Sequence, residues 1–115
     1  MSNSFASGTR SASSKRNDTF TTVTTGIIVQ PIRPVKSFAI QVKGTGAAAT
    51  AWTVLLEGSL DGVTFTVIAT HATVTLDGVT LWVTTQSPVN YFRSNCTVLT
   101  LGGASDIVAF IVGAE

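Results

Sequence analysis

The sequence has one cysteine, Cys96, and one histidine, His71, among its 115 residues. A lone cysteine excludes an intrachain disulfide, so the fold needs no covalent staple, and this usage fits folding in a reducing cytosol. A lone histidine leaves a zinc site short of its three or four ligands. It also leaves a general base without a second group to orient it. Charge is scarce as well: 11% of residues are charged, against about 25% in a typical soluble domain. No apolar run approaches the roughly 18 residues of a membrane-spanning helix. The opening Met-Ser-Asn-Ser-Phe lacks the basic and apolar regions of a signal peptide. No membrane partner is therefore expected.

What is present is a chain that is 44% hydrophobic, with Thr and Ser filling the polar positions. Thr is β-branched, which favours strands over helices. A chain of this length is the usual size of one domain and buries roughly two-thirds of the surface exposed by its unfolded form. A net charge of +1 gives little colloidal repulsion to a neutral, Thr-coated surface. Coverage of that surface by further copies is the expectation, hence a homo-oligomer, with a trimer among the states allowed.

Residues Met1 to Thr19 are Ser, Asn, Gly and Thr, with Phe5 as the one large aromatic group before Phe20. Such a segment cannot bury enough apolar surface to offset the entropy of ordering itself. Residues 1–19 are thus expected to be a flexible N-terminal arm, followed by a single domain over residues 20–115. Arg10, Lys15 and Arg16 against Asp18 make the arm formally +2, while the remainder is −1. Three basic groups give only weak, salt-sensitive attraction to phosphates, so nucleic acid is an unlikely partner and a docking arm the better expectation.

From Phe20 onward, short β-rich runs alternate with turn signals, and no window sustains helical spacing. Strands are expected over Phe20 to Val29, Ser37 to Lys43, Ala51 to Ser59, Phe65 to Thr70 and Ala72 to Leu76. Further runs are Leu81 to Thr84, Pro88 to Arg93, Cys96 to Leu101 and Ile107 to Val112. Phe38, Ile40 and Val42 alternate onto one face, as do Trp52, Val54 and Leu56. The last run is apolar at nearly every position, the pattern of a central strand buried on both faces. About eight short strands at this spacing predict an all-β fold: an antiparallel, jelly-roll-like β-sandwich with an extended N-terminal arm.

The string Leu-Asp-Gly-Val-Thr occurs twice, at Leu60 to Thr64 and at Leu76 to Thr80. Asp-Gly between alternating runs is a hairpin signal, because Gly, and less readily Asp, accepts the positive φ of a tight primed turn. Asp61, Gly62, Asp77 and Gly78 are therefore expected at two hairpin turns. Neither aspartate has the Asp-x-Asp spacing of a calcium loop, and the turn already accounts for Asp61 where Glu57 could form a carboxylate pair with it. Gly44-Thr45-Gly46 lacks the Lys-Ser/Thr of a phosphate loop. No catalytic, metal or cofactor set emerges. Among the aromatics, Trp52 is in phase with the core, while Trp82 sits in the consecutive Leu81-Trp82-Val83 and is the best candidate for an exposed or interface position.

The stretch Trp52-Thr-Val-Leu-Leu-Glu-Gly-Ser-Leu-Asp-Gly-Val-Thr-Phe65-Thr-Val resembles small virion proteins of tailed bacteriophages, in which a strand ends in Glu-Gly-Ser-x-Asp-Gly before an aromatic residue. The resemblance covers Trp52 to Val67 and carries a turn motif without an active site. It implies a non-enzymatic β-sandwich structural protein of the virion, folded in the host cytoplasm. The first expectation is a capsid decoration or cement protein that binds the major capsid protein or other virion proteins. Phe5, Arg10, Lys15, Arg16, Phe20 and Trp82 are its expected assembly contacts. Alternatives are a tail or neck component, or a carbohydrate- or receptor-binding sandwich using Trp82 and Tyr91.

Overall fold

The computed structural model describes residues 14–73, 78 and 80–115. Eight strands follow in order: β1 (Ser14–Phe20), β2 (Thr24–Thr25), β3 (Val35–Gly44), β4 (Ala51–Ser59), β5 (Thr66–Thr73), β6 (Thr80–Val89), β7 (Tyr91–Thr100) and β8 (Ile107–Ala114). They form two four-stranded sheets, ordered β1-β8-β3-β6 and β2-β7-β4-β5. Neighbouring strands within each sheet are antiparallel. Only the β4–β5 connection stays within a sheet; every other connection crosses to the opposite one. This order is that of an eight-stranded jelly roll, and an all-β, jelly-roll-like sandwich was the expectation.

The alternation legible in β3 and β4 builds the core. Phe38, Ile40 and Val42 project from the first sheet against Trp52, Val54 and Leu56 from the second, and all six are buried. Phe38 meets Phe92 edge to face, with ring centroids 5.4 Å apart, a geometry that opposes positive ring edge to negative ring face. Each fully buried side chain of this kind contributes about 1.5–3 kcal/mol relative to exposure.

Four expectations change. The first strand is not Phe20 to Val29: Ser14 to Phe20 pairs along its whole length with β8, so β1 belongs to the sandwich. Residues 14–19, assigned to the arm, therefore belong to the sandwich, while residues 1–13 lie outside the described residues. A polar segment can pair here because its inward carboxylate is satisfied. Asp18, 5% exposed, accepts hydrogen bonds from the Arg16 Nε (2.9 Å) and from the Ser94 hydroxyl on β7 (2.8 Å).

The second correction concerns β6 and β7. The runs ending at Thr84 and starting at Pro88 are one strand, and those around Phe92 and Cys96 are another. Pro88 is tolerated because β6 is an edge strand whose register shifts opposite the Val35 to Ser37 segment, where no ladder donor is needed. Third, β8 is central in its sheet but buried on one face only: Val112 is 40% exposed. Fourth, the two Leu-Asp-Gly-Val-Thr copies do different things. The first joins paired strands, but through the six residues between Ser59 and Thr66 rather than a two-residue turn. The second lies between β5 and β6, which are edges of different sheets, so it spans a crossover and not a hairpin. Both glycines still take left-handed φ, 77° at Gly62 and 73° at Gly78, the conformation for which glycine has no steric cost.

Gly26 completes the junction around Asp18. Its N–H donates to the Ser94 carbonyl at 2.7 Å, and a Cβ at this position would overlap both the Asp18 carboxylate and the Ser94 hydroxyl. Gly26→Ala should cost about 1–3 kcal/mol through overpacking, measured as a lowered urea midpoint. An unchanged midpoint would contradict the close approach.

Candidate assembly surface

Inward placement of Phe38, Ile40 and Val42 turns Ser37, Ala39, Gln41 and Lys43 outward, since side chains alternate along a strand. The ladder registers then fix which residues meet on the outer face of the first sheet. Lys15 lies opposite Val112, Val112 opposite Ala39, and Ala39 opposite Trp82. One cross-strand row therefore runs Lys15–Val112–Ala39–Trp82. The adjacent row is Asn17–Phe110–Gln41–Thr80. Trp82 is 76% exposed, the largest apolar group on this face, while Ala39 and Phe110 are half-buried. The two rows contain no carboxylate. Lys15 and Trp82 stand three strand spacings apart, roughly 14 Å.

Gln41 buttresses this face: its Nε2 donates to the Gly78 carbonyl at 2.7 Å and to the Thr80 hydroxyl at 3.3 Å. Gly78 N–H in turn donates to the Val42 carbonyl at 2.9 Å. Gly78 and Thr80 thus tie the start of β6, the strand that carries Trp82, to β3.

The expected assembly residues separate. Lys15 and Trp82 share the outer face. Arg16 is turned to Asp18, so its charge is engaged within the chain. Phe20 is 2% exposed in the core and offers no contact surface, because it is the inward residue two positions beyond Asp18. Phe5, Arg10 and Asp77 lie outside the described residues. Trp82 and Tyr91 belong to different sheets, and the Tyr91 ring packs close to Gly62. The two cannot form one aromatic platform.

His71, Glu57 and Asp61 each make contacts within the fold. His71 is buried and meets Trp52 edge to face, with ring centroids 4.9 Å apart. Glu57 accepts hydrogen bonds from Arg93 Nε (2.7 Å) on one oxygen and Asn95 Nδ2 (3.0 Å) on the other. The Arg93 guanidinium lies 4.1 Å from the Phe65 ring centroid, a cation–π contact. Asp61 is a turn residue: the Thr64 and Val63 N–H groups and the Ser59 hydroxyl donate to its Oδ1 and hold its carboxyl below the ordinary value. Among the described residues, no three of His, Cys, Asp and Glu gather as metal ligands. The Glu57–Arg93–Asn95 cluster escapes sequence reading because its members are far apart in the chain and meet only through β4–β7 pairing.

These features define a jelly-roll sandwich with a Trp-bearing outer face whose two described rows contain no carboxylate. No family model matches the sequence, and no curated protein matches it. Among solved structures, the chain is similar to the crystal structure of PirA, with 17% identity and a TM-score of 0.43 over 92% of this chain and 96% of that one.

Cys96 is buried, and desolvation pushes its thiol pKa up. Thiolate is the reactive form. A disulfide reagent at pH 8 should leave Cys96 unlabelled in the native protein and label it fully in denaturant; rapid native labelling would contradict its burial.

Proposed function

We propose that this chain is a non-enzymatic structural protein of a bacteriophage particle, a capsid decoration or cement protein that docks through the outer face of its first sheet. The observation that carries this reading is the exposure of Trp82 in a row with Ala39 and Val112, on rows without a carboxylate. The resemblance of Trp52 to Val67 to small virion proteins supports the choice of partner, and a jelly roll is an architecture that capsid proteins use.

Docking is by surface burial. Trp is enriched among the residues that dominate interface energies, because it offers a large contact area with few rotatable bonds. Val112 and Ala39 extend the apolar centre, and Lys15 supplies a cationic rim suited to an acidic patch on the major capsid protein. Self-association on the particle would cover further parts of the Thr-rich surface. A sugar-binding reading loses its platform once Trp82 and Tyr91 lie in different sheets. A tail or neck location differs from the head reading only in which particle part binds.

The test is co-sedimentation with empty bacteriophage heads. Trp82→Ala should weaken binding about 30-fold or more, with an unchanged thermal midpoint because the side chain is mostly in water. Equal binding by wild type and Trp82→Ala would reject the surface, and binding to tails alone would reject the head assignment. A truncation that probes the arm has to stop before Ser14, since removing residues 14–19 strips a paired strand from the sandwich.

A further inference from the structure

The first sheet ends in an open edge. β1 pairs over all seven of its residues with β8, and among the described residues no strand pairs with its other side. It has neither a proline nor a register shift, the devices that ordinarily spoil an edge for further pairing. Of its exposed side chains, Lys15, Asn17 and Thr19, only Lys15 is charged. The second sheet ends on the same side of the sandwich. Its edge, β2, pairs with β7, and the extended path continues past β2 through the Gly26 N–H to Ser94 carbonyl bond and the Val29–Phe92 pair. Asp18 holds this path next to β1, since the Ser94 hydroxyl and the Ile27 N–H both donate to its carboxylate. Three apolar side chains stand in water here: Val23 (52% exposed), Ile27 (59%) and Ile28 (44%). An unpaired backbone edge is a template for another strand, and an apolar patch beside it marks a contact surface.

Charge complementarity selects a second copy of β1 as the occupant. In an antiparallel pair directly opposite residues share a face, so two copies of β1 meet only in registers centred on one residue. Centring on Lys15, Arg16 or Asp18 sets like charges directly opposite each other, which is destabilising. Registers centred nearer the strand ends pair only a short stretch. Centring on Asn17 pairs the whole strand, with Lys15 opposite the partner's Thr19 and each Arg16 opposite the partner's Asp18. Arg16 engages its own Asp18 through Nε, which leaves its terminal nitrogens for the partner's carboxylate.

We propose that two copies of the chain join β1 to β1 about a two-fold axis at Asn17, merging their four-stranded first sheets into one, with Val23, Ile27 and Ile28 of both copies covering one another at the joint. Ile27 sits beside Asp18, the neighbour of Asn17, so the two apolar groups meet next to the axis. Such a contact uses the same surface on both copies and closes as a dimer. The face bearing Trp82 stays open, because β6 is at the opposite margin of the sheet. The joint assigns a surface to self-association and does not rest on the particle reading.

The test is equilibrium sedimentation of the full chain, followed by oxidation of cysteine substitutions on the exposed face of β1. Wild type should sediment as monomer and dimer in equilibrium, and Ile27→Lys should raise the dimer Kd at least about tenfold by setting a charge in the apolar joint. The circular dichroism of Ile27→Lys should match wild type, because Ile27 stands in water in the single chain. Asn17→Cys should oxidise rapidly to a covalent dimer, since opposed residues have Cα atoms about 4.5–5.5 Å apart, within disulfide reach. Lys15→Cys should not, its two copies being roughly 13 Å apart along the strand. Cys96 stays out of the reaction because it is buried. A monomer or a trimer at every concentration, an Ile27→Lys variant that dimerises as well as wild type, or equal cross-linking by the two cysteine variants would each overturn the proposal. No particle enters the test, so its failure leaves the Trp82 surface untouched, and loss of particle binding in Trp82→Ala leaves the β1 joint untouched.

Discussion

A carboxylate inside the sandwich holds the first strand in place. Burying an ionised group without partners costs several kcal/mol or more, yet Asp18 is 5% exposed between the sheets. It is tolerated because Arg16 supplies the counter-charge from the same strand and the Ser94 hydroxyl reaches across from β7. Ile27 N–H adds a longer contact at 3.4 Å. One side chain therefore ties β1 in the first sheet to β7 in the second and to the segment that follows β2, with Gly26 leaving the room this requires. In a chain whose single cysteine forbids a staple, this polar contact does what a disulfide does elsewhere: it joins distant segments of sequence across the core.

The rest of the surface follows from that pairing. With β1 in place, β8 becomes an interior strand and its outward residues, Val112 and Phe110, stand in rows that end at β6. β1 contributes Lys15 to the same face and consumes the Arg16 charge internally. The outcome is a sheet face that is apolar at its centre and cationic at one margin. Elsewhere, Glu57 is held by Arg93 and Asn95, and Asp61 by its own turn.

Period-2 alternation made the core legible. Phe38, Ile40 and Val42, with Trp52, Val54 and Leu56, were assignable because a strand buried on one face repeats every second residue. Exposure of Trp82 was legible for the complementary reason, since it falls between two inward residues. β1 was not legible: Ser-Lys-Arg-Asn-Asp-Thr has the composition of a tail, and its order depends on Ser94, 76 positions away. The second Asp-Gly pair misled because turn chemistry is local, whereas the choice between hairpin and crossover depends on which sheet receives β6. That choice rests on Ala39 and Gln41 pairing with Trp82 and Thr80.

The docking proposed here puts the face bearing Trp82 against the particle. Hydroxyl-radical footprinting of the protein, free and bound to bacteriophage heads, tests it most directly, because Trp52 is 1% exposed and serves as an internal silent reference. Trp82 should be strongly oxidised in the free protein and protected on binding, with Tyr91 in the other sheet unchanged. Trp82 oxidised equally in both states, with protection confined to the second sheet, would contradict it.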